Sequence, residues 1–282
     1  MKIALCYSGQ VGRFWEIYPN HKQTFIKGAE TDIFIHTSDA ITQKRNLQPH
    51  LSPRDKIIKD YLPGYTGWHK MSGTYGKIYN IEVNLLIDKL TKTYGNQIKK
   101  IRIESEDINQ DNNEIEKITK WEWLKKRQLY KMYACNQLVQ EHEKENNFMY
   151  DIIIRSRFDC VLKTDIYIKK IVQQIGDINN KIFVFGGWQC PKKNRFMDHF
   201  LFDGFAFGGP KAMDTFCSLH KKKDAYPAME KYKEYQKNWG DNVEYQLHKH
   251  LQENNVEIVY LNNPNKQLDS PDCGRWLYEI YR

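Results

Sequence analysis

Short apolar runs alternate with segments of helical hydrophobic spacing along the whole chain, and this alternation limits the folds that it can adopt. Strands buried on both faces carry nearly continuous apolar residues, whereas helices that cover a sheet carry one apolar face. The runs predict strands over 2–7, 31–37, 98–104, 151–154, 181–185, 202–207 and 256–260. The spacing predicts helices over 14–27, 53–61, 84–93, 121–146, 211–220 and 241–254.

The order of these segments predicts one doubly wound α/β domain, with a single sheet that is mostly parallel in its first half. No Gly/Ser linker and no internal repeat interrupts the chain, so residues 1–282 are assigned to a single domain. Residues 40–80, apart from the short helix, the stretch 107–114 and the tail from Pro264 are predicted to be irregular. Ligands of such folds bind at the carboxyl ends of the strands, so the residues that follow the predicted strands are the candidates for a site.

Composition narrows the class of partner. Hydrophobic residues make up 40% and aromatic residues 13% of the chain, which excludes a disordered composition. The formal charge of +8 suits an anionic partner such as a nucleotide, a phosphorylated lipid, an acidic glycan or a nucleic acid. The alternative is that lysines simply cover the surface, because acidic residues are interspersed among them.

Cysteine spacing and hydropathy indicate the compartment. None of the six cysteines forms a C-x-x-C pair, so no zinc framework is predicted, and Cys6 and Cys160 are interpreted as buried free thiols. No signal peptide is predicted at the N-terminus, and no apolar stretch approaches the ~20 residues that a bilayer span needs. The interpretation is a soluble protein without a transmembrane segment in a reducing cytoplasm, which is the host cytoplasm if the source is viral.

The turn after the first strand combines small residues with one arginine, Ser-Gly-Gln-Val-Gly-Arg. Small residues let a ligand approach the backbone, and N–H groups ahead of a helix attract phosphate or carboxylate groups. Ser8, Gly9, Gln10 and Arg13 are therefore candidate nucleotide-binding residues. The turn matches neither G-x-G-x-x-G nor a P-loop, which argues against a dinucleotide or ATP site. An ordinary tight strand-to-helix turn is the open alternative.

Polar residues also end the second strand, where His-Thr-Ser-Asp follows an apolar run. They are expected to lie beside the first turn, and His36 and Thr37 are candidate contacts to a ribose or a base edge. The alternative for His36 is a structural histidine whose ring nitrogens are satisfied inside the protein.

Residues 150–159, YDIIIRSRFD, change abruptly from apolar to charged. Strand alternation puts Arg155, Arg157 and Asp159 on one face at the carboxyl end of the strand. Two guanidinium groups there are costly unless an anion meets them, and a diphosphate would do so. Asp159 is the candidate ligand for a divalent cation that bridges the phosphates. An internal Arg–Asp salt-bridge cluster is the alternative.

Two aspartates are candidates for a catalytic base. Asp203 lies in the run 202–209, FDGFAFGG, where aromatic faces and glycines suit an acceptor sugar. The alternatives are a buried strand whose glycines mark a bulge, and a buried partner for the carboxylate such as Arg195 or His199. Asp241 starts an Asp-x-x-Glu pattern, which a helix capping box explains by itself.

These segments together resemble a family of GT-A-like nucleotide-sugar glycosyltransferases found in large DNA viruses, phages and bacteria. Four motifs occur in the same order as in the family. The first is KIALCYSGQ at 2–10, with Arg13 displaced by an insertion, followed by DIFIHT at 32–37. The second is Y-D-x-x-I-R-x-R-x-D at 150–159, and the third is D-x-F-A-F-G at 203–208 with a helix containing Met213. The fourth is a last helix with an acidic start at 241–251.

The resemblance implies a GT-A fold, a nucleotide-sugar donor such as a UDP-sugar, a glycan or glycoconjugate acceptor and a divalent cation, Mn²⁺ or Mg²⁺. Residues 1–160 would form the nucleotide-binding half and 161–282 the acceptor-binding half. GT-A enzymes usually carry an Asp-x-Asp metal motif, but Arg157-Phe158-Asp159 retains only its second acidic residue. Arg155 and Arg157 could therefore stabilise the leaving diphosphate without a metal.

The expected activity is transfer of a hexosyl or deoxyhexosyl group to a hydroxyl acceptor. An inverting enzyme needs a base for the acceptor's proton, for which Asp203 and Asp241 are the candidates, whereas a retaining enzyme does not. A sugar nucleotidyltransferase, which would share the opening strand and turn, is the first alternative. A nucleic-acid-binding protein is the second, but no clustered basic stripe in the sequence supports it.

Overall fold

A seven-stranded mixed sheet forms the centre of the part of the chain that the computed structural model describes. The described residues are 1–11, 14–24, 30–42, 78–105, 125–162, 166–186, 201–224, 226, 243–261 and 278–280. The strands are, in chain order, β1 (Ile3–Ser8), β2 (Thr31–Ser38), β3 (Ala40–Thr42), β4 (Ile78–Asn80), β5 (Ile98–Glu104), β6 (Ile152–Ser156), β7 (Cys160–Leu162), β8 (Lys181–Gly186), β9 (Leu201–Gly208), β10 (Glu257–Tyr260) and β11 (Tyr278–Ile280).

The strand order in the large sheet is β10-β8-β9-β6-β1-β2-β5. Strand β9 runs antiparallel to both of its neighbours, and every other pair in this sheet is parallel. The predicted α/β class and the parallel first half are therefore confirmed. The sheet takes strands from both sides of residue 160, so the two predicted halves of the chain contribute to one sheet.

Helices cover both faces of this sheet. They are α1 (Phe14–Thr24), α2 (Val83–Tyr94), α3 (Tyr130–Asn146), α4 (Ile168–Ile175), α5 (Pro210–Cys217) and α6 (Val243–Glu253), with a π-helical turn at Lys125–Leu129 and 3-10 turns at Gly95–Gln97 and Ser218–Lys221. None of the helices in the described ranges combines the length and the apolar character that a membrane crossing requires.

Alternation along β1 divides the core into two layers. Ile3, Leu5 and Tyr7 face the layer that contains residues of α1, α2 and α4, which we call the α1 face. Ala4 and Cys6 face the layer built from α3, α5 and α6, which we call the α3 face. Successive side chains of a strand point to opposite faces, so the same rule assigns the polar residues at the strand ends to one layer or the other.

Strand β6 extends further than its apolar residues predict. The prediction ended the strand at Ile154, but the structure continues it through Arg155 and Ser156. Arg155 pairs with Cys6 of β1 on one side and with Ala206 of β9 on the other. Hydrophobic residues indicate which side chains are buried, whereas backbone hydrogen bonding depends on the neighbouring strands. Here the strand pairing continues for two residues beyond the apolar run.

Three short strands lie in regions that were predicted to be irregular, and one helix lies where no element was predicted. Residues 40–42 pair with 78–80 in an antiparallel ribbon, and 278–280 in the tail pair with 160–162. Helix α4 was not predicted. Three-residue strands contain too few positions to show a period of two, which explains why the sequence did not reveal them. The predicted helix over 53–61 and the loop over 107–114 lie outside the described residues.

The four cysteines in the described part of the chain are buried free thiols, as the sequence predicted for Cys6 and Cys160. Burial is the main cause that raises the pKa of the Cys160 thiol. Buried thiols with a raised pKa are mostly protonated near neutral pH and act as small apolar side chains.

Candidate functional site

The candidate site lies where the strand order reverses. From β1 the chain moves outward through β2 to β5 and then returns to β6 on the other side of β1. In open α/β sheets the crevice at the carboxyl ends of such a strand pair is the usual place for a ligand. Here the two ends are formed by residues 8–10 after β1 and 156–159 after β6.

The turn after β1 depends on Gly9. Its φ angle is +123°, which residues with a side chain rarely adopt, although a Cβ added there would meet no heavy atom within 4 Å. Its N–H donates to the carbonyl oxygen of His36 at 3.3 Å, which ties the turn to the end of β2. Glycine is therefore required here for its backbone conformation and not because a neighbour crowds it.

The Gly9→Ala variant is expected to lose about 1–3 kcal/mol of unfolding free energy, the usual cost of a strained φ/ψ region. Urea denaturation measures this loss. Lys92→Ala on the exposed side of α2 is the control, with an expected change within about 0.5 kcal/mol. An unchanged unfolding free energy for Gly9→Ala would show that the turn accommodates a side chain.

Arg155 is a buried cation at the carboxyl end of β6. It is 2% exposed, and its Nε donates to Ser8 Oγ at 3.3 Å. Within the described residues its Nη1 has no hydrogen-bond partner, and no carboxylate lies within ion-pair distance of the guanidinium. Burial lowers the pKa of Arg155, an effect that the Asp203 carboxylate opposes. A buried guanidinium without its own ion pair is unfavourable unless an anion joins it.

Arg157 and Asp159 form a bidentate ion pair beside Arg155. Arg157 Nε and Nη2 donate to the two carboxylate oxygens of Asp159 at 2.8 and 2.7 Å. Burial by itself would lower the pKa of Arg157, but Asp159 and then Asp203 outweigh it and the pKa is raised. Both side chains of the pair are about a quarter exposed, at 25% and 23%, so they are the accessible part of the cluster. The predicted Arg–Asp salt bridge therefore exists, and it leaves Arg155 outside it.

Strand β9 brings Asp203 to the two arginines. Because β9 runs antiparallel to β6, its beginning lies beside the end of β6, and the carbonyl oxygen of Gly204 accepts from the Arg157 N–H at 2.8 Å. Asp203 Oδ2 lies 3.8 Å from Arg157 Nη1 and has no hydrogen-bond partner within the described residues. The buried partner of Asp203 is thus Arg157; the sequence had suggested Arg195 or His199, which lie outside the described residues.

The aromatic residues and glycines of β9 have structural roles. Phe202 and Phe205 are 4% and 0% exposed and pack in the core on the α1 face, so their rings are not presented to an acceptor sugar. A Cβ at Gly208 would lie 2.4 Å from the carbonyl oxygen of Lys181, and one at Gly204 would collide with the Phe202 ring. For these residues the buried-strand alternative describes the structure.

His36 and Thr37 end β2 on opposite faces of the sheet, and both are fully buried. His36 Nε2 lies 3.1 Å from Glu104 Oε1 at the end of β5, and the Tyr130 hydroxyl donates to the same oxygen at 2.8 Å. Burial lowers the pKa of His36, and Glu104 opposes this. The histidine is enclosed in a polar cluster of the protein, but within the described residues neither of its ring nitrogens has a hydrogen-bond partner, so the structural alternative holds for its burial and not for its hydrogen bonding.

This polar cluster includes residues that the sequence did not single out. Lys131 of α3 is buried and its Nζ donates to Ser38 Oγ at 2.9 Å. Glu104 and Tyr130 complete the cluster on the α3 side. The sequence offered one indication for Glu104, namely a carboxylate at the end of a predicted strand. It could not show that this carboxylate meets His36, because that contact requires β5 to lie next to β2.

The remaining predicted residues divide in two groups. Gln10 follows the Gly9 turn and is partly buried. Arg13 and Asp241 lie outside the described residues.

The described side chains do not assemble a metal site. In these parts of the chain no group of three or more His, Cys, Asp or Glu side chains is placed to hold a metal ion. Both oxygens of Asp159 already bind Arg157, and Asp203 faces the same guanidinium. A cation between these carboxylates would also face two positive charges. The two arginines and two aspartates are formally neutral as a group, and a cation would have to displace the bidentate ion pair of Asp159 with Arg157.

No protein-family model matches the chain, and no curated protein matches its sequence. The geometry defines an α/β protein with two arginines at the carboxyl end of the strand beside a topological switch point.

Proposed function

We propose that this chain is a glycosyltransferase of the GT-A type that moves a sugar from a nucleoside-diphosphate sugar to a hydroxyl group of a glycan or glycoconjugate. One observation carries the proposal: two arginines end the strand at the switch point beside a glycine turn, and the buried one has no ion pair within the described residues. A diphosphate supplies the missing negative charge. The mixed sheet and the four ordered motifs are compatible with this assignment.

The donor would lie across the carboxyl ends of β1 and β6. Arg157 is the accessible arginine and would bind the diphosphate, while the buried charge of Arg155 adds positive potential in a low-dielectric setting. Backbone N–H groups of the turn after Ser8 would approach the phosphates, since Gly9 leaves space there. Stabilising the departing diphosphate lowers the barrier to breaking the glycosidic bond of the donor.

Asp203 is the proposed general base among the described residues. It lies at the same edge as the arginines and is 4% exposed, so an acceptor hydroxyl next to the donor sugar would have to enter this edge to meet it. Asp241 remains the second candidate from the sequence. The described residues supply no built metal site, so no step is assigned to a cation, and dependence on Mn²⁺ or Mg²⁺ stays a prediction.

A thermal-shift experiment tests the proposal. Nucleoside diphosphates that bind only the folded protein raise its Tm by an amount that grows with concentration. UDP, GDP, CDP and dTDP are each compared with the matching nucleoside, which lacks the phosphates. A rise with at least one diphosphate and none with its nucleoside supports the proposal. Equal melting with every ligand and with nucleotide sugars would contradict it.

A sugar nucleotidyltransferase is the alternative enzyme, because it would use the same strand ends for a triphosphate. Incubation with a sugar phosphate and a nucleoside triphosphate, against incubation with a UDP- or GDP-sugar and an acceptor, distinguishes the two. Pyrophosphate release in the first mixture alone would assign the chain to that class.

Asp159 is expected to act as a positioning residue, because its two oxygens hold Arg157. Asp159→Asn should lower turnover by about 10- to 100-fold through misplacement of the guanidinium, and Asp159→Glu should recover part of it. If Asp159 acts only through Arg157, wild-type turnover should persist in excess EDTA. Asp88→Asn on the exposed side of α2 is the control.

A different result would restore the metal role that the sequence predicted for Asp159. If EDTA abolished wild-type turnover and Mn²⁺ or Mg²⁺ restored it, while Asp159→Asn no longer responded to the cation, the carboxylate would be a metal ligand.

A further inference from the structure

Two basic segments that are far apart in sequence meet on the α3 side of the molecule. Residues 125–131, KKRQLYK, carry four cationic residues and no acidic one, and residues 218–224, SLHKKKD, carry three cationic residues and one acidic one. The π-helical turn at Lys125–Leu129 packs against the 3-10 turn at Ser218–Lys221. Lys131 is buried and its ammonium group donates to Ser38, so the cations of these two segments whose described side chains reach solvent are Arg127 and residues 221–223, with Asp224 exposed beside them. We call Arg127 and residues 221–223 the basic surface.

Aromatic rings support the cations of the second segment. Lys221 Nζ lies 4.4 Å from the centre of the Tyr133 ring, and Lys222 Nζ lies 3.8 Å from that of Tyr226. The centre of the His220 ring lies 4.0 Å from that of Tyr133, with the two ring planes tilted by 30°. These contacts hold the lysine stems against the protein and leave Lys221 exposed, with Lys223 exposed beside it.

Ring contacts connect the basic surface to the end of β2. The Tyr130 ring is 6.1 Å from that of His220 and 5.8 Å from that of the buried His36. The backbone of Gly9, in the proposed donor turn, donates to the carbonyl oxygen of His36. The basic surface therefore lies two ring contacts from the carboxyl end of β2, next to the end of β1.

We propose that the basic surface binds an acidic glycan, one that carries carboxylate or phosphate groups, as the acceptor. This inference rests on the proposed glycosyltransferase function and adds the chemical class of its acceptor. Charge complementarity is the physical basis, since clustered cations beside a site attract a polyanion and steer it there.

Two other classes of polyanion fit the geometry less well. The large hydrophobic residues exposed in the described part are Met1, Val83, Ile87, Met149 and Tyr167, and none of them belongs to the basic surface. The surface therefore offers no apolar side chain for insertion into a lipid bilayer. Single-stranded nucleic acid is held by bases stacked on open aromatic faces, whereas Tyr133 and Tyr226 here carry lysine side chains.

Binding of an oligogalacturonate to the full chain tests the proposal, with a maltooligosaccharide of equal length as the neutral probe. The wild type should bind the acidic probe only, and more weakly as salt increases. The double variant Lys221→Gln, Lys223→Gln should bind it roughly 2- to 30-fold more weakly, as expected for two exposed charge contacts. Lys169→Gln, Lys170→Gln is the matched control, because it removes two exposed lysines of α4 on the α1 face.

Several outcomes would overturn the proposal: equal binding of both probes, binding of neither, or equal weakening in the two double variants. Tighter binding of a DNA oligonucleotide or of anionic phospholipid vesicles than of the acidic glycan would assign the surface to that partner instead. The nucleoside-diphosphate thermal shift, measured on the same proteins, fails only if the proposed function fails. It should be the same in both double variants as in the wild type.

Discussion

Arg157→Met is expected to lower turnover by roughly 10²–10³-fold, the range found when one donor that stabilises developing negative charge is removed. The rise in Tm with a nucleoside diphosphate should disappear at the same time, because methionine keeps part of the length of the side chain but none of its charge. Steady-state kinetics with a nucleotide sugar and thermal melts with the diphosphate measure the two effects.

The unliganded Arg157→Met protein should also melt below the wild type, because Asp159 and Asp203 lose their shared partner. Arg102→Met, which removes an arginine paired with Glu141 on the surface of β5, is the matched control and should change neither property strongly. Full turnover in a folded Arg157→Met enzyme would show that the diphosphate binds elsewhere.

Arg155→Met separates ligand binding from stability. This variant should also lose the nucleotide-induced shift, but its unliganded Tm should not fall, since the substitution removes a buried cation that lacks an ion pair in the described structure. A lower Tm together with a normal nucleotide shift would make Arg155 a structural residue, and Arg155→Lys, which keeps the charge, would then recover the stability.

Asp203→Asn is expected to lower turnover by roughly 10²–10⁴-fold, the usual contribution of a general base, with donor affinity little changed. Asparagine keeps the size of the side chain and removes its ability to accept a proton. Asp241→Asn is the comparison, and it should cost little stability and little activity, since asparagine caps a helix nearly as well as aspartate.

Asp203 also pairs with Arg157, so its alternative role is to orient that guanidinium. If Asp203 only orients Arg157, the asparagine variant would bind the diphosphate differently and melt lower, with a smaller change in turnover. If Asp241→Asn abolished turnover in a folded protein while Asp203→Asn left it intact, Asp241 would be the base.

The sequence determined most of the secondary structure of the described sheet. The predicted strands include all seven of its strands, six of them from apolar runs, and the strand predicted over 98–104 matches β5 at both ends although this segment is mostly charged. Strands buried on both faces need continuous apolar residues, and that local requirement is visible without knowledge of any neighbour. The same reasoning placed Arg155, Arg157 and Asp159 at a carboxyl end, because their charges follow the buried run directly.

Only the tertiary structure decided which of these elements meet. A buried antiparallel strand has the same apolar pattern as a buried parallel one, so the sequence could not show that β9 is reversed or that this brings Asp203 to Arg157. His36 likewise meets Glu104 only because β5 pairs with β2. The two basic segments are separated by almost ninety residues and become one surface through the packing of α3 beside α5. Local hydrophobic pattern reports whether a residue is buried, whereas partners are chosen by strand order and direction, which depend on the whole chain.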